Sequence, residues 1–181
     1  MRKMYLSAPL PFVGQKRMLA KEFMKVLEQY PDGTLFVDLF GGSGLLSHIT
    51  KSLKPHSTVI YNDFDNYRFR MKHIPQTNQL LADIREMVGN SVPRHKIIKG
   101  ELRERIFSRI EQEENSTGYV DFITLSSSIL FSMKYKLSVQ DMRKEALYNN
   151  IRKTGYPECT DYLEGLEIVS CDYKEVFNRY K

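Results

Sequence analysis

The stretch Phe36-Val37-Asp38-Leu39-Phe40-Gly41-Gly42-Ser43-Gly44 constrains this chain more than any other. An apolar run that reads as a buried strand is closed by an acid, broken by glycines, and followed by the helical spacing Leu45, Leu46, Ile49, Leu53. Strand, glycine turn and helix in that order build the floor of a nucleotide-like site in doubly wound α/β folds. The glycines let a ligand approach the backbone closely, and the helix start presents unpaired N–H groups. Lys54-Pro55-His56 ends the helix, and a second strand, Thr58-Val59-Ile60-Tyr61, runs into Asn62-Asp63-Phe64-Asp65. Such a βαβ unit of about 30 residues is right-handed and its strands are parallel. Asp63 falls at the tip of the second strand, beside the glycine turn. There a carboxylate accepts the hydroxyls of a ribose, with capping of the next helix as the alternative.

The glycine turn admits more than one ligand. A P-loop requires Lys and Ser/Thr after the last glycine, and Leu45-Leu46 stand there instead. A dinucleotide fingerprint is nearly met by Gly42, Gly44, the small Ser47 and the later acid. Asp38 argues against it. A diphosphate at the strand end meets its negative charge, whereas the sulfonium and amino group of S-adenosylmethionine are attracted by it.

At 181 residues and 41% apolar content, the chain suits one buried α/β unit with an insertion. No apolar run reaches the roughly 18 residues of a membrane span, and Met1-Arg2-Lys3-Met4-Tyr5 lacks a signal-peptide core. A cytoplasmic, membrane-free protein is the expectation. Cys159 and Cys171 make neither a disulfide framework nor a CxxC metal site, so no metal is expected. The net charge of +5 is unevenly placed. Lys134, Lys136, Arg143, Lys144, Arg152 and Lys153 cluster against Asp141 and Glu145, interleaved with Tyr135, Tyr148 and Tyr156. That pattern suits a polyanion whose bases can stack, or else a solvated helix face.

Ahead of the glycine turn, prolines extend residues 8–16, and a helix carries Leu19, Phe23, Val26, Leu27 and Tyr30 to a stop at Pro31-Asp32-Gly33. From 67 to 164 the strand–helix alternation lapses into a mainly helical insertion. One helix has Thr77 as N-cap and Gly89 as stop. A second opens at Pro93 and carries Ile98, Leu102, Ile106 and Ile110. Residues 112–118 read as a polar linker, and residues 119–131 are apolar and compatible with helix or strand. Ser138 to Asp141 resembles a capping box opening a basic helix through about Asn150. Leu166 to Cys171 is a third strand, after which Asp172 starts another helix with Glu175 as its partner. The fold expected is a Rossmann-like α/β core, residues 1–66 and 165–181, with three parallel strands in order 3-2-1 and the insertion at 67–164. In that order the strand from Leu35 to Phe40 is an unpaired apolar edge, which a partner chain or a second copy would cover.

Asp38-Leu39-Phe40-Gly41-Gly42-Ser43-Gly44 resembles motif I of the Dam-like (D12 class) DNA adenine N6-methyltransferases, with Leu39 where many members have proline. Pro11-Phe12-Val13-Gly14-Gln15-Lys16 is similar to their N-terminal Pro-x-x-Gly-x-Lys element, and Asn62-Asp63-Phe64-Asp65 to their motif II. The strand ending in Ser170-Cys171-Asp172-Tyr173 resembles the element just before their catalytic motif. The resemblance implies that Phe12, Gly14 and Lys16 meet the methionine carboxylate, and that Phe40, Gly41, Gly42, Ser43 and Gly44 wrap the methionine and ribose. It further implies Asp38 at the methionine ammonium, Asp63 at the ribose hydroxyls, Phe64 on the adenine ring and Asp172 at the adenine amino group, the last in competition with capping. The helical insertion would recognise DNA. The family's Asp-Pro-Pro-Tyr motif is absent from the sequence, so no catalytic residue is assigned and the 181 residues are not expected to methylate alone. A non-catalytic nucleic-acid-binding or restriction-associated protein on the same fold is the second reading, and a domain binding NAD a distant third.

Overall fold

The computed structural model describes residues 3–131 and 134–181. Met1 and Arg2, which contribute to the N-terminal reading, lie outside them. In chain order the elements are a 3-10 turn (Lys16–Leu19), α1 (Ala20–Glu28), β1 (Phe36–Asp38), α2 (Leu45–Leu53), β2 (Val59–Asn62), α3 (Tyr67–Lys72), α4 (Ile74–Val88), β3 (Ile97–Ile98), α5 (Gly100–Thr117), α6 (Phe122–Ile129), α7 (Val139–Arg143), β4 (Leu147–Tyr148), β5 (Glu167–Val169) and α8 (Tyr173–Tyr180). They form two compact units, Met1–Lys72 with Glu158–Lys181, and His73–Pro157.

The first unit holds a parallel sheet in the order β1-β2-β5, the 3-2-1 arrangement expected. Among the described residues β1 pairs with β2 alone, so its outer edge is open. Its helical layer is set by Ala20, Leu27, Leu45 and Ile49, with Phe23, Met24 and Phe36 packed against them. Ala20, Phe23, Met24 and Leu27 follow i, i+3, i+4, i+7 spacing, the stripe of one helix face. Leu19, Val26 and Tyr30, expected on that face, are exposed. Leu19 lies in the 3-10 turn before the helix, Val26 falls off the stripe at 100° per residue, and Tyr30 lies beyond the helix end, where its ring meets Phe36 edge-on at 6.0 Å. In α2, Leu45 and Ile49 are buried as expected. Leu53 is exposed, and the polar Ser47, His48 and Thr50 are buried instead. His48 explains part of this. Its Nδ1 lies 2.7 Å from the Tyr162 carbonyl, Nε2 accepts the Tyr5 N–H at 2.9 Å, and its ring stacks on that of Tyr162 at 4.7 Å.

The compact units meet at 72/73 and 157/158, within the stretch 67–164 read as the insertion. Helix α3 belongs to the first unit because the Tyr67 hydroxyl pairs with both the N–H and the carbonyl of Leu10, and Arg70 donates to the Pro11 carbonyl at 2.8 Å. Tyr162 belongs there through His48 and through its hydroxyl, which donates to the Ser43 carbonyl.

The second unit is mainly helical, with a two-stranded antiparallel ribbon of β3 and β4. Its elements depart from the sequence expectation in several places. Helix α4 starts at Ile74, with Pro75 in its first turn, so Thr77 lies inside it and is buried rather than capping. Pro93 opens no helix: Ile97 and Ile98 pair with Tyr148 and Leu147, and α5 begins only at Gly100. Residues 112–117 continue α5 to the left-handed Gly118, because Glu113 and Gln76 bond there and make a polar stretch useful inside the fold. Residues 122–129 settle as helix, capped by Asp121, whose side chain accepts from the Thr124 N–H. Ser138 caps α7 through the Asp141 N–H as expected. That helix ends at Arg143, since Leu147 and Tyr148 are drawn into the ribbon. No helix among the described residues is long and apolar enough to cross a membrane.

The first unit is stapled at Asn62. Its amide donates to the Leu39 carbonyl at 3.1 Å and the Cys171 carbonyl at 2.9 Å, and its oxygen accepts the Cys171 N–H at 3.2 Å. Asn62→Ala removes all three bonds at a position that is 1% exposed, and should cost about 2–4 kcal/mol of unfolding free energy, read by urea titration.

Candidate functional site

The glycine turn between β1 and α2 leaves a space bounded by backbone. Gly42 and Gly44 adopt φ of 52° and 70°, in the left-handed region that side chains disfavour. Gly41 is required for a different reason, since a Cβ there would fall 2.3 Å from the Tyr61 ring and 2.8 Å from the Asn62 carbonyl oxygen. Tyr61 is fully buried beneath the turn. Its hydroxyl lies 2.7 Å from the Gly42 carbonyl and 3.0 Å from Asp63 Oδ1, so one proton serves two acceptors. Burial, and then the neighbouring Asp63 charge, push the phenol well above its ordinary range, and it stays neutral.

Over this floor lies a cavity of about 390 Å³, within the size range of small-molecule sites. The N-terminal strap contributes Phe12, Val13, Gly14 and Lys16, the turn contributes Leu39 to Ser43, and the ends of β2 and β5 contribute Phe64, Asp65, Asp172 and Tyr173. Four aromatic rings thus surround a few polar groups. Lys16 donates to the Phe40 carbonyl at 2.6 Å. The Phe40 ring meets that of Tyr173 at 5.0 Å between centroids. An added Cβ on Gly42 would sit 3.0 Å from the Phe12 ring, so glycine is what lets that ring close over the turn. Asp172 does two things. Its carboxylate caps α8 by accepting the Lys174 N–H at 2.8 Å, and the residue also lines the cavity.

Three residues expected at the site from sequence do not line this cavity. Asp38 shares the face of β1 that bears Phe36, because alternate strand residues point the same way. It accepts the Ser47 hydroxyl at 2.7 Å beside a separate small cavity against α2. Asp63 is 3% exposed and does not line the main cavity. Its Oδ1 accepts the Tyr67 N–H at 2.6 Å and its Oδ2 the Arg68 N–H at 2.9 Å, which makes it the cap of α3. Gly44 is the N-cap of α2 and shapes the turn from behind, close to Leu163 and Tyr61. Conversely, Val13, Leu39, Leu45, Asn62, Asp65 and Tyr173 line the cavity without having been assigned. Asp65 and Tyr173 stand in the quoted motif stretches, where a side-chain direction was the missing information.

The basic cluster of the second unit is compensated. Glu145 bridges Lys134 and Lys136 at 2.5 and 3.0 Å, Arg143 pairs with Glu104 and Glu111 at 2.7 and 2.9 Å, and Lys144 pairs with Asp141 at 2.7 Å. Four cations therefore face four carboxylates. Hydrogen bonds from Lys134 and Lys136 hold the Glu145 carboxyl below its usual range, and those from Arg143 and Arg103 do the same for Glu104. Arg152 lies over the Tyr156 ring at 4.4 Å, and that tyrosine is buried, so it offers no face to a base. Lys153 is exposed, and its carbonyl accepts from Arg85.

A parallel 3-2-1 sheet with a glycine turn under an aromatic-walled cavity defines a Rossmann-like methyltransferase fold, incomplete at the β1 edge. The sequence profile of the D12 class N6 adenine-specific DNA methyltransferases matches residues 12–157, and the chain belongs to that family. It is also 39% identical over 184 residues to a protein of Haemophilus influenzae named "Putative methyltransferase". The match takes in 99% of this chain and 61% of that relative, so the chain spans about three-fifths of the relative's length.

The glycines should separate by mechanism. Gly41→Ala must displace the Tyr61 ring and should lower stability by about 1–3 kcal/mol. Gly14→Ala meets nothing within 4 Å and should cost only the left-handed strain of about 1–2 kcal/mol. Thermal unfolding gives the ranking, and near-ultraviolet circular dichroism should change for Gly41→Ala alone because only there must a buried tyrosine move.

Proposed function

We propose that this chain is the cofactor-binding and target-recognition portion of a site-specific DNA adenine N6-methyltransferase, with S-adenosylmethionine as methyl donor and double-stranded DNA as substrate. The observation that carries the reading is the cavity over the glycine turn, which combines aromatic walls with one cation and two carboxylates. Bound there, S-adenosylmethionine supplies an electrophilic methyl on sulfur, which passes to the exocyclic nitrogen of a flipped-out adenine as that nitrogen gives up a proton. The residues of this chain hold and orient. Lys16, half-buried beside Gly14, faces the methionine carboxylate. The backbone of Phe40 to Ser43 follows the methionine and ribose, and Phe64 presents its ring to the adenine base. Asp172, with one oxygen in the α8 cap, has the other for the adenine amino group. This reading does not use Asp38, whose carboxylate accepts the Ser47 hydroxyl at 2.7 Å.

The sequence contains no Asp-Pro-Pro-Tyr, so the amino group of the target adenine, unlike that of the cofactor, has no holder here, and the 181 residues are expected to bind without methylating alone. The open edge of β1, with Phe40 at 62% and Phe177 at 55% exposure near it, is where a partner chain or second copy would complete the sheet. The second reading is a non-catalytic nucleic-acid-binding or restriction-associated protein that kept the fold. Both readings place it in the cytoplasm.

Isothermal titration of the chain with S-adenosylmethionine, S-adenosylhomocysteine and NAD tests the reading. Binding of the two sulfur ligands and not of NAD is expected, and NAD binding alone would overturn it. DNA contact by the second unit has a separate expected signature. Exposed ion pairs are worth little, so phosphates compete with Glu145 for Lys134 and Lys136. Glu145→Gln should raise affinity for duplex DNA several-fold at low salt and steepen the salt dependence. The Glu145 carboxyl titrates below the usual range, so the pairs persist above it. Wild-type affinity should rise toward that of the variant only as pH falls through that depressed value, which fluorescence anisotropy of a labelled duplex would record.

A further inference from the structure

In the second unit, the segments leading into β3 and out of β4 lie side by side. With the end of α4 they gather Arg85, Arg94, Lys96, Arg152 and Lys153. We propose that this face is the surface that grips the phosphate backbone of duplex DNA, without reading sequence, in place of the paired cluster at 134–144. This rests on the DNA reading above and names the side chains that carry its electrostatic part.

The two segments are tied through their backbones. The His95 N–H donates to the Asn149 carbonyl and the Asn149 N–H to the Lys96 carbonyl, each at 2.9 Å, and the Asn149 side chain donates to the Val92 carbonyl at 2.7 Å. Arg94 donates to the Ile151 carbonyl at 3.0 Å, and Arg85 to the Lys153 carbonyl at 2.8 Å. A carboxylate partner would order these guanidinium groups and also cancel their charge. A carbonyl orders them, leaves the charge in place and leaves further N–H donors for an anion. Elsewhere in the same unit the arginines are neutralised: Arg109 by Asp83 and Glu113, Arg143 by Glu104 and Glu111.

Among the described residues none of the five cations makes an ion pair, and Glu86, the acid next to Arg85 in sequence, makes none either. Lys96, Arg152 and Lys153 are exposed. Arg152 rests over the Tyr156 ring at 4.4 Å, which restricts its motion without compensating its charge. His95, between Arg94 and Lys96, has φ of 65°, a left-handed backbone that costs any residue but glycine. It is kept there by its bond to Asn149 and by its ring, whose Nδ1 lies 2.8 Å from the Asn150 side-chain oxygen. Strain retained on the segment that bears two of the cations fits a surface shaped for a ligand. A phosphate arriving here meets ordered cations and need not break an ion pair first. At 134–144 it must displace Glu145 or Asp141.

Fluorescence anisotropy of the 181-residue chain with two labelled duplexes of unrelated sequence, over a salt series, tests this face. Lys96→Gln, Arg152→Gln and Lys153→Gln should each weaken both duplexes about three- to tenfold at low salt, and each should reduce the slope of log affinity against log salt by about one. The loss should be alike for both duplexes, because phosphate contacts carry no base information. Lys25→Gln removes the same charge from the first unit, where Lys25 pairs with Glu22 at 3.0 Å, and should change affinity by less than about twofold. An equal loss in Lys25→Gln would mean attraction to net charge alone and overturns the assignment. Wild-type affinity and slope in the three variants overturn it too, and then the DNA reading stands with its phosphate contacts on another face. Binding to phosphatidylserine vesicles but to neither duplex would give the face to lipid and overturn it. A wild-type chain that binds neither duplex nor vesicles overturns the DNA reading itself, and this face with it.

Discussion

The amide of Asn62 holds together the ends of all three parallel strands, and the site depends on that junction. Parallel strands leave their carboxyl ends pointing the same way, and in an open α/β sheet the ligand crevice lies there. Three short strands alone would let those ends splay. Asn62 sits at the end of the central strand and bonds Leu39 beyond β1 and Cys171 beyond β5. The Asp63 N–H adds a bond to the Val169 carbonyl at 2.8 Å, and Ser170 reaches the Asp63 carbonyl. The glycine turn, Phe64 and Asp172 thereby keep fixed distances around one space.

From this junction the buried polar groups run outward in two lines. One passes from Asp63 and Tyr61 beneath the turn. The other passes from Asp63 through α3 to the strap. A third anchor, His48, receives Tyr5 and stacks on Tyr162, and the Tyr5 hydroxyl donates to Asp161 at 2.8 Å. Buried polar groups of this kind are costly unless satisfied, and those in the two lines from Asp63 meet partners in the turn and the strap that wall the cavity. The same bonds that stabilise the first unit therefore shape its site.

In the second unit charge is balanced where the linear sequence shows an excess. Local counting sets six cations near 134–153 against Asp141 and Glu145, but Glu104 and Glu111 of α5 are brought to Arg143 by packing. Such pairs yield readily to phosphate, since exposed ion pairs contribute little net stability.

Much of this was legible from residue order alone. The strand, glycine turn and helix at 36–53, the parallel βαβ unit, the third strand near 167, the caps at Ser138 and Asp172 and the family motifs all rest on local spacing, which a linear pattern carries. Direction did not. Whether Asp38 faces the cavity or α2, and whether Asp63 or Asp65 meets it, depends on which strand face packs against Phe36 and on how Asn66 turns the chain. The extent of α5, the loss of a helix at Pro93 and the early end of α7 depend on β3 finding β4, residues about 50 apart in sequence. Sequence by itself determined the fold class, the family and the stretches that make the site. Tertiary structure decided which side chains within those stretches face it, because that choice belongs to non-local pairing and packing rather than to the order of residues.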